Sequence, residues 1–162
     1  MTSSEYNIII DNYADNLFRF VLKNIKNEDD AKDIVQESFL KVWLKKEEIN
    51  FLKAKSYLFS TAYHQTIDYV RKSKIQLVAN EELNKHSLIY EDQFTDIQAV
   101  LHEALEKLPP IQKAVILLRD YEGYNYLEIA EITKLSEAQV KVYIFRGRTF
   151  LKNYLGSIEA VL

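Results

Sequence analysis

Glycine and proline are almost missing from this chain, and that restricts what it can fold into. Among 162 residues there are three glycines and two prolines: Gly123, Gly147 and Gly156, and the adjacent pair Pro109 and Pro110. Nothing before Pro109 carries either residue. Tight hairpins need residues that tolerate positive φ, and strands are normally bounded by clusters of turn formers. No strand-like alternation bounded in that way is present. Apolar residues instead recur with the period of a helix. The sequence therefore predicts an all-α protein. Periodicity marks out helices from Glu5 to Asn24, Glu28 to Lys46 and Lys55 to Lys72, with a short piece near Asn80 to Tyr90. Asn27 is placed to cap the second, with Glu28, Asp29 and Asp30 where the helix dipole favours acids. Residues 74–95 are polar, acidic and weakly periodic, and read as a linker with at most transient helix. A helix from Asp96 to Lys107 follows. Pro110 then suits the first position of another, which runs to about Tyr121 and stops before Gly123. The expected architecture is two small helical domains, 1–73 and 96–162, joined by an acidic linker, 74–95, with a helix-turn-helix closing the second.

That last motif lies between Tyr124 and Tyr154. A first helix carries Leu127, Ile129 and Ile132, with small Ala130 where another helix could approach. Thr133-Lys134-Leu135 forms the turn. Ser136 caps the second helix, and Glu137 suits its positive end. Val140 and Ile144, at i and i+4, are its buried side; Lys141, Tyr143, Phe145, Arg146, Arg148 and Lys152 lie elsewhere. This is the layout in which a second helix enters the major groove of DNA. Taken alone, the stretch is also compatible with an amphipathic helix pair carrying a solvated basic face.

Charge distribution bears on that choice. The net charge is −3, an unusual balance for a dedicated nucleic-acid binder, since phosphate neutralisation supplies most non-specific affinity. Yet Lys134, Lys141, Arg146, Arg148 and Lys152 face a single acid, Glu137, within their segment. Lys53, Lys55, Arg71, Lys72 and Lys74 face only Asp68 in theirs. Acids gather instead at Glu28 to Asp30 and from Glu81 to Asp96. Two basic islands in an acidic chain suggest two DNA contacts separated by surfaces meant for something else. The chain has no cysteine, so thiolate metal sites and disulfides are excluded. His64, His86 and His102 have no metal-ligand spacing, three glycines cannot supply a phosphate loop, and no nucleophile motif is present. Neither a metal, a cofactor nor an enzymatic activity is expected. No apolar run approaches membrane-spanning length and no signal peptide is visible, so the expected location is the cytoplasm.

Two segments of the first domain carry further information. In DAKDIVQESFLKVW, from Asp30 to Trp43, Ala31, Ile34, Val35, Val42 and part of Phe39 make an apolar stripe. Asp33, Gln36, Glu37 and Leu40 share a different face, either simply solvated or a docking surface for a partner. In SYLFSTAYHQTIDYVRK, from Ser56 to Lys72, Tyr57, Phe59, Tyr63 and Tyr69 crowd beside His64, Arg71 and Lys72. Aromatics among cations can stack unpaired bases, although an aromatic stripe is more often core.

Together these segments, with LEKLPPIQKAVILLRDYEGYNYLEIAEI and VKVYIFRGR, resemble the extracytoplasmic-function (ECF) group of bacterial RNA polymerase sigma factors, from about Tyr6 to Tyr154. The resemblance implies that the first domain is region 2, which docks on the polymerase beta-prime subunit and opens the minus-ten element. The second would be region 4, which reads the minus-thirty-five element. The polymerase-docking motif falls on Asp33, Gln36, Glu37, Phe39 and Trp43. The promoter-melting helix falls on Tyr57, Phe59, Tyr63, His64, Asp68, Tyr69, Arg71 and Lys72. The loop from Glu47 to Lys53 matches the segment that captures a flipped-out base. Minus-thirty-five recognition falls on Tyr126, Lys141, Val142, Tyr143, Phe145, Arg146 and Arg148, with Lys152 as a backbone contact. Implied partners are core RNA polymerase, through its beta-prime and beta subunits, promoter DNA and an anti-sigma factor, with no small-molecule substrate and no membrane insertion.

The chain departs from the family pattern in several places. Val142-Tyr143 replaces the common Ser-Arg, His64 replaces an Asn, Ser60 and Tyr63 stand where basic residues are frequent, and Lys134 replaces a turn glycine. A non-glycine residue in a left-handed turn costs on the order of 1 kcal/mol. A stand-alone helix-turn-helix regulator is the alternative reading, but it leaves the docking and aromatic segments unexplained.

Overall fold

A computed structural model of the chain describes residues 1–79 and 96–161. The described residues form helices and connecting turns with no strand, as the shortage of breakers requires. The short helical piece expected near Asn80 to Tyr90 lies outside the described residues.

The N-terminal unit is α1 (Ser3–Ile25), α2 (Glu28–Leu44) and α3 (Phe51–Ala79). Thr2 and Glu5 cap α1 reciprocally, each side chain bonded to the other's backbone N–H. Lys26 ends α1 in the left-handed conformation, φ 60°. Asn27 then accepts the Asp30 N–H at 3.0 Å and opens α2, as its position predicted. Leu17, Phe20 and Val21 of α1, Ala31 and Val42 of α2, and Ala54, Leu58 and Ala62 of α3 are sealed from solvent. Ser38 and Thr66 also lie inside, each hydroxyl returning its hydrogen to the carbonyl four residues back at 2.7 Å. That removes the cost of an unpaired buried donor. The third helix corrects the linker boundary. It begins at Phe51 and continues to Ala79, so residues 74–79 belong to α3. The polar composition there reflects an exposed helix end: Lys74, Ile75, Gln76 and Leu77 all face solvent.

The C-terminal unit is α4 (Asp96–Glu106), α5 (Pro110–Ile116), a π-helical turn (Leu117–Tyr121), α6 (Tyr126–Thr133) and α7 (Glu137–Val161). Pro110 occupies the first position of α5, as expected. The π turn is closed by Glu122 N–H donating to Leu117 O, five residues back, at 3.0 Å. Gly123 follows at φ 78°, a value that costs glycine nothing and lets the Tyr124 N–H cap the Leu118 carbonyl at 3.0 Å.

The two units pack against each other. Phe59 of α3 touches Phe20 on one side, centroids 6.1 Å apart, and Tyr124 on the other, at 5.3 Å. Lys55 lies 4.4 Å over the Tyr124 ring and Lys23 lies 3.8 Å over Tyr121. Arg19 forks both carboxylate oxygens of Glu122, whose side chain is only 4 % exposed. Glu106 bridges Lys26, at 3.0 Å, and the buried Lys113. Burial lowers the Lys113 pKa, and Glu106 opposes that shift.

Candidate promoter and polymerase interfaces

Helix α2 divides its residues as its periodicity foretold. Asp33, Gln36, Glu37 and Leu40 are exposed along one face, and Trp43 and Leu44 extend that face toward the helix end. Trp43 is held in place by Tyr6, at 5.0 Å between centroids, and by Lys46, 3.8 Å over its ring. Phe39, which the resemblance places in the docking motif, lies on the inner side. It is 9 % exposed and packs edge-on against Tyr6, because position 39 follows Val35 by four residues on the flank of the buried stripe. Its contribution to that face is support from beneath.

On α3 the aromatic residues separate into different environments. Tyr57 is half-buried beside Lys53, Ser60, His64 and, across the domain junction, Glu131 and Lys134. Phe59 is fully buried and Tyr63 is 4 % exposed. Tyr63 is covered from the C-terminal unit, with Tyr143 nearby; burial first, and Tyr143 second, push the Tyr63 hydroxyl up to about 12. The expectation that Tyr63 presents itself for base stacking does not describe this closed arrangement. Its side of α3 is apolar enough to bury, and the second unit supplies the cover. Tyr69 donates to Asp30 at 2.6 Å, tying α3 to the head of α2. Burial and then this bond push its hydroxyl up to about 12. His64 is exposed, with Nδ1 2.7 Å from the Ser60 carbonyl. A carbonyl only accepts, so Nδ1 carries the proton. Arg71 pairs with Asp68 at 2.7 Å, and Lys72 is exposed. The turn between α2 and α3 is shorter than the expected Glu47 to Lys53 loop, since α3 starts at Phe51; Leu52 there is 86 % exposed.

The helix-turn-helix is formed by α6, the turn at Lys134 and α7. Asn125 and Glu128 cap α6 reciprocally, as do Ser136 and Gln139 for α7. Lys134 adopts the left-handed conformation, φ 63°; the turn keeps the shape a glycine would have and bears the strain. Ile129, Ile132, Val140 and Ile144 are buried between the two helices, whereas Leu127 is 60 % exposed. Along α7, Lys141, Val142, Phe145, Arg146, Arg148 and Lys152 are exposed. Lys141 stands 3.6 Å from Glu137. Arg146 and Lys152 make no ion pair with any described residue. Arg148 is engaged by Asp120, at 3.2 and 2.5 Å. Tyr126 receives Arg119 at 5.0 Å and Lys141 at 5.7 Å over its ring. Tyr143 turns inward and packs on the core. Among the described residues no group of carboxylates and histidines could hold a metal, and no helix is long and apolar enough to cross a membrane.

Comparison with known proteins decides what this arrangement is. Sigma-70 region 2 matches residues 9–75, and Sigma-70 region 4 matches residues 98–151. The RNA polymerase sigma factor SigV of Bacillus subtilis is 34 % identical over 145 residues, covering 88 % of this chain and 86 % of SigV. The chain belongs to the sigma-70 family, in its ECF group. The ECF sigma factor SigM of Bacillus subtilis is 29 % identical over 144 residues, covering 86 % of this chain and 88 % of SigM. The fold agrees with that of the sigma factor RpoE solved with the anti-sigma factor NepR from Bartonella quintana. Its TM-score is 0.76 at 22 % identity, over 93 % of this chain and 96 % of that one. Members of this family are transcription initiation factors, and this sigma factor directs RNA polymerase to promoters.

Proposed function

We propose that α2 docks on core polymerase through Asp33, Gln36, Glu37 and Trp43. In this reading, residues 1–79 form the module that handles the minus-ten element and residues 96–162 the module that reads the minus-thirty-five element. The observation that carries this reading is the pairing of two exposed surfaces. One is the acidic and apolar face of α2; the other is the cationic outer face of α7. Arg146 is the base reader of that helix. A guanidinium bidentate to guanine discriminates by about 1–3 kcal/mol. Lys152 is a phosphate clamp. Lys72, His64 and Tyr57 flank the α3 groove where separated strands would lie, and Arg71 reaches it once released from Asp68. Phe59 and Tyr63 become available only if the two units part. Tyr69 supports α3 from beneath.

The chain works in the cytoplasm without chemistry of its own. Net acidity fits this role, because free protein would bind DNA poorly until polymerase supplied a complementary surface. RpoE's solved assembly with NepR supports an anti-sigma factor as the partner that keeps this chain closed. Replacing Asp33, Gln36 and Glu37 together by alanine should abolish holoenzyme assembly in a pull-down with core polymerase while helicity stays at the wild-type value. Assembly at wild-type level by a folded triple variant would remove α2 as the docking element.

A further inference from the structure

The basic residues of α7 are not equivalent, and Arg148 stands apart. At 3.6 residues per turn it lies about 40° round from Ile144, on the flank of the buried stripe formed by Val140, Ile144 and Gly147. Val142 and Arg146 are on the far side of the helix. The Arg148 guanidinium meets the Asp120 carboxylate as a fork, Nε to Oδ2 at 3.2 Å and a terminal nitrogen to Oδ1 at 2.5 Å. Such paired bonds fix direction as well as distance. Asp120 is itself held. It sits in the π turn, which is closed behind it by the bonds of Glu122 and Tyr124 to Leu117 and Leu118. One residue before Arg148, α7 crosses α5 so closely that a methyl on Gly147 would overlap Ile116 Cδ1. A close apolar crossing fixes the separation of two helices but leaves rotation about the contact point; a polar fork beside it removes that freedom.

We propose that Arg148 is a positioning residue that touches no DNA: its fork to Asp120 sets the angle at which α7 enters the major groove. The proposal rests on α7 being the recognition helix. Two of the guanidinium's five N–H donors are committed to Asp120 and its plane is set by them, so promoter affinity depends on the pair and not on the cation. Asp120, an acid near a DNA-binding helix, then helps binding where simple electrostatics would have it hinder.

The test is promoter binding by reconstituted holoenzyme at several salt concentrations. The variants are Arg148→Ala, Arg148→Lys, Asp120→Ala, Asp120→Asn, the double alanine variant and the exchanged pair Asp120→Arg with Arg148→Asp. Both single alanine variants should lose affinity by a similar factor, on the order of tenfold, and the double variant no more. Arg148→Lys, a point charge without the fork, should fall between wild type and alanine. The exchanged pair should recover part of the loss. The dependence of log affinity on log salt should keep its wild-type slope throughout, because no phosphate contact has gone. Asp120→Asn keeps the side-chain shape and one acceptor, so it reports on the pair even if Asp120→Ala unfolds the domain; it should also lose affinity. A direct DNA contact predicts the reverse. Removing Asp120 would then leave binding unchanged or tighter, and Arg148→Ala would make the salt slope shallower by about one. Either result overturns the proposal, as does wild-type affinity in all variants. A wild-type holoenzyme indifferent to the minus-thirty-five element would overturn the reading of α7 and this proposal together.

Discussion

Tyr69 shows how a residue can match a family's DNA-binding helix and still be a structural element. Its hydroxyl donates to Asp30, and its body fills the angle between α2 and α3. Free tyrosine ionises near pH 10. In the folded chain the hydroxyls of Tyr63 and Tyr69 are pushed up to about 12. Between those values the folded state retains protons that the unfolded chain has released. The stabilisation from both residues is therefore complete below pH 10 and lost as pH climbs through 12. Melting temperature should fall across that window. Tyr69→Phe should cost about 1 kcal/mol at neutral pH and flatten part of the alkaline fall. An unchanged alkaline profile in Tyr69→Phe would show that its proton is not held by the fold. The acid-lined neighbour was not recoverable from the sequence, because Asp30 lies 39 residues away and had already been given a role as a first-turn acid of α2.

Elements were legible wherever local chemistry decides them. Asn27, Pro110, Gly123 and Ser136 each act as their types imply, since capping and turn geometry depend on a few neighbouring residues. Thr2 and Asn125 carry the same kind of signal: each precedes a glutamate by three residues, the capping-box spacing, and each caps its helix. The end of α3 is not legible in the sequence, because propensity and polarity at residues 74–79 resemble those of a linker, and only the continuation of the helix into solvent distinguishes them. Lys134 replaces a turn glycine and keeps its left-handed shape, φ 63°, so the helix-turn-helix turn is strained there. Lys134→Gly should therefore stabilise. Relief of about 1–2 kcal/mol of left-handed strain, less the roughly 0.5–1 kcal/mol entropic cost of glycine, leaves a gain of up to about 1.5 kcal/mol, roughly 0.75 kcal/mol at the middle of both ranges. For a chain of this size that raises the melting temperature by about 2 °C. Lys134→Val should lower it. A melting temperature reduced by the glycine variant would mean that the Lys134 side chain contributes more through its position beside α3 than its backbone costs.

At the scale of the molecule, the role of α3 is not legible from the N-terminal unit alone, because the C-terminal unit covers Phe59 and Tyr63. Nothing local signals this: α3 reads as an amphipathic helix with surplus aromatics, and which side of it meets solvent depends on packing between residues far apart in the chain. Phe59 and Tyr63 are buried against the C-terminal unit, and two ion pairs join the units beside them: Arg19 with Glu122, and Lys26 with Glu106. Exposed ion pairs weaken with salt while partly buried ones do so less. Replacing Arg19 and Lys26 together by alanine should loosen the closed form, leaving Glu122 without its main partner. Small-angle scattering should then give a larger radius of gyration than wild type, with helicity unchanged. An equally compact double variant would show that the apolar contacts at Phe59 and Tyr124 suffice to hold the units together.

Transcription in vitro with purified core polymerase tests the central claim most directly. The chain should convert core enzyme into one that initiates at discrete positions downstream of defined promoters, and the free chain alone should show no comparable preference for those fragments. Selective binding of promoter DNA by the free chain, with no start-site selection when it is added to core polymerase, would contradict that claim.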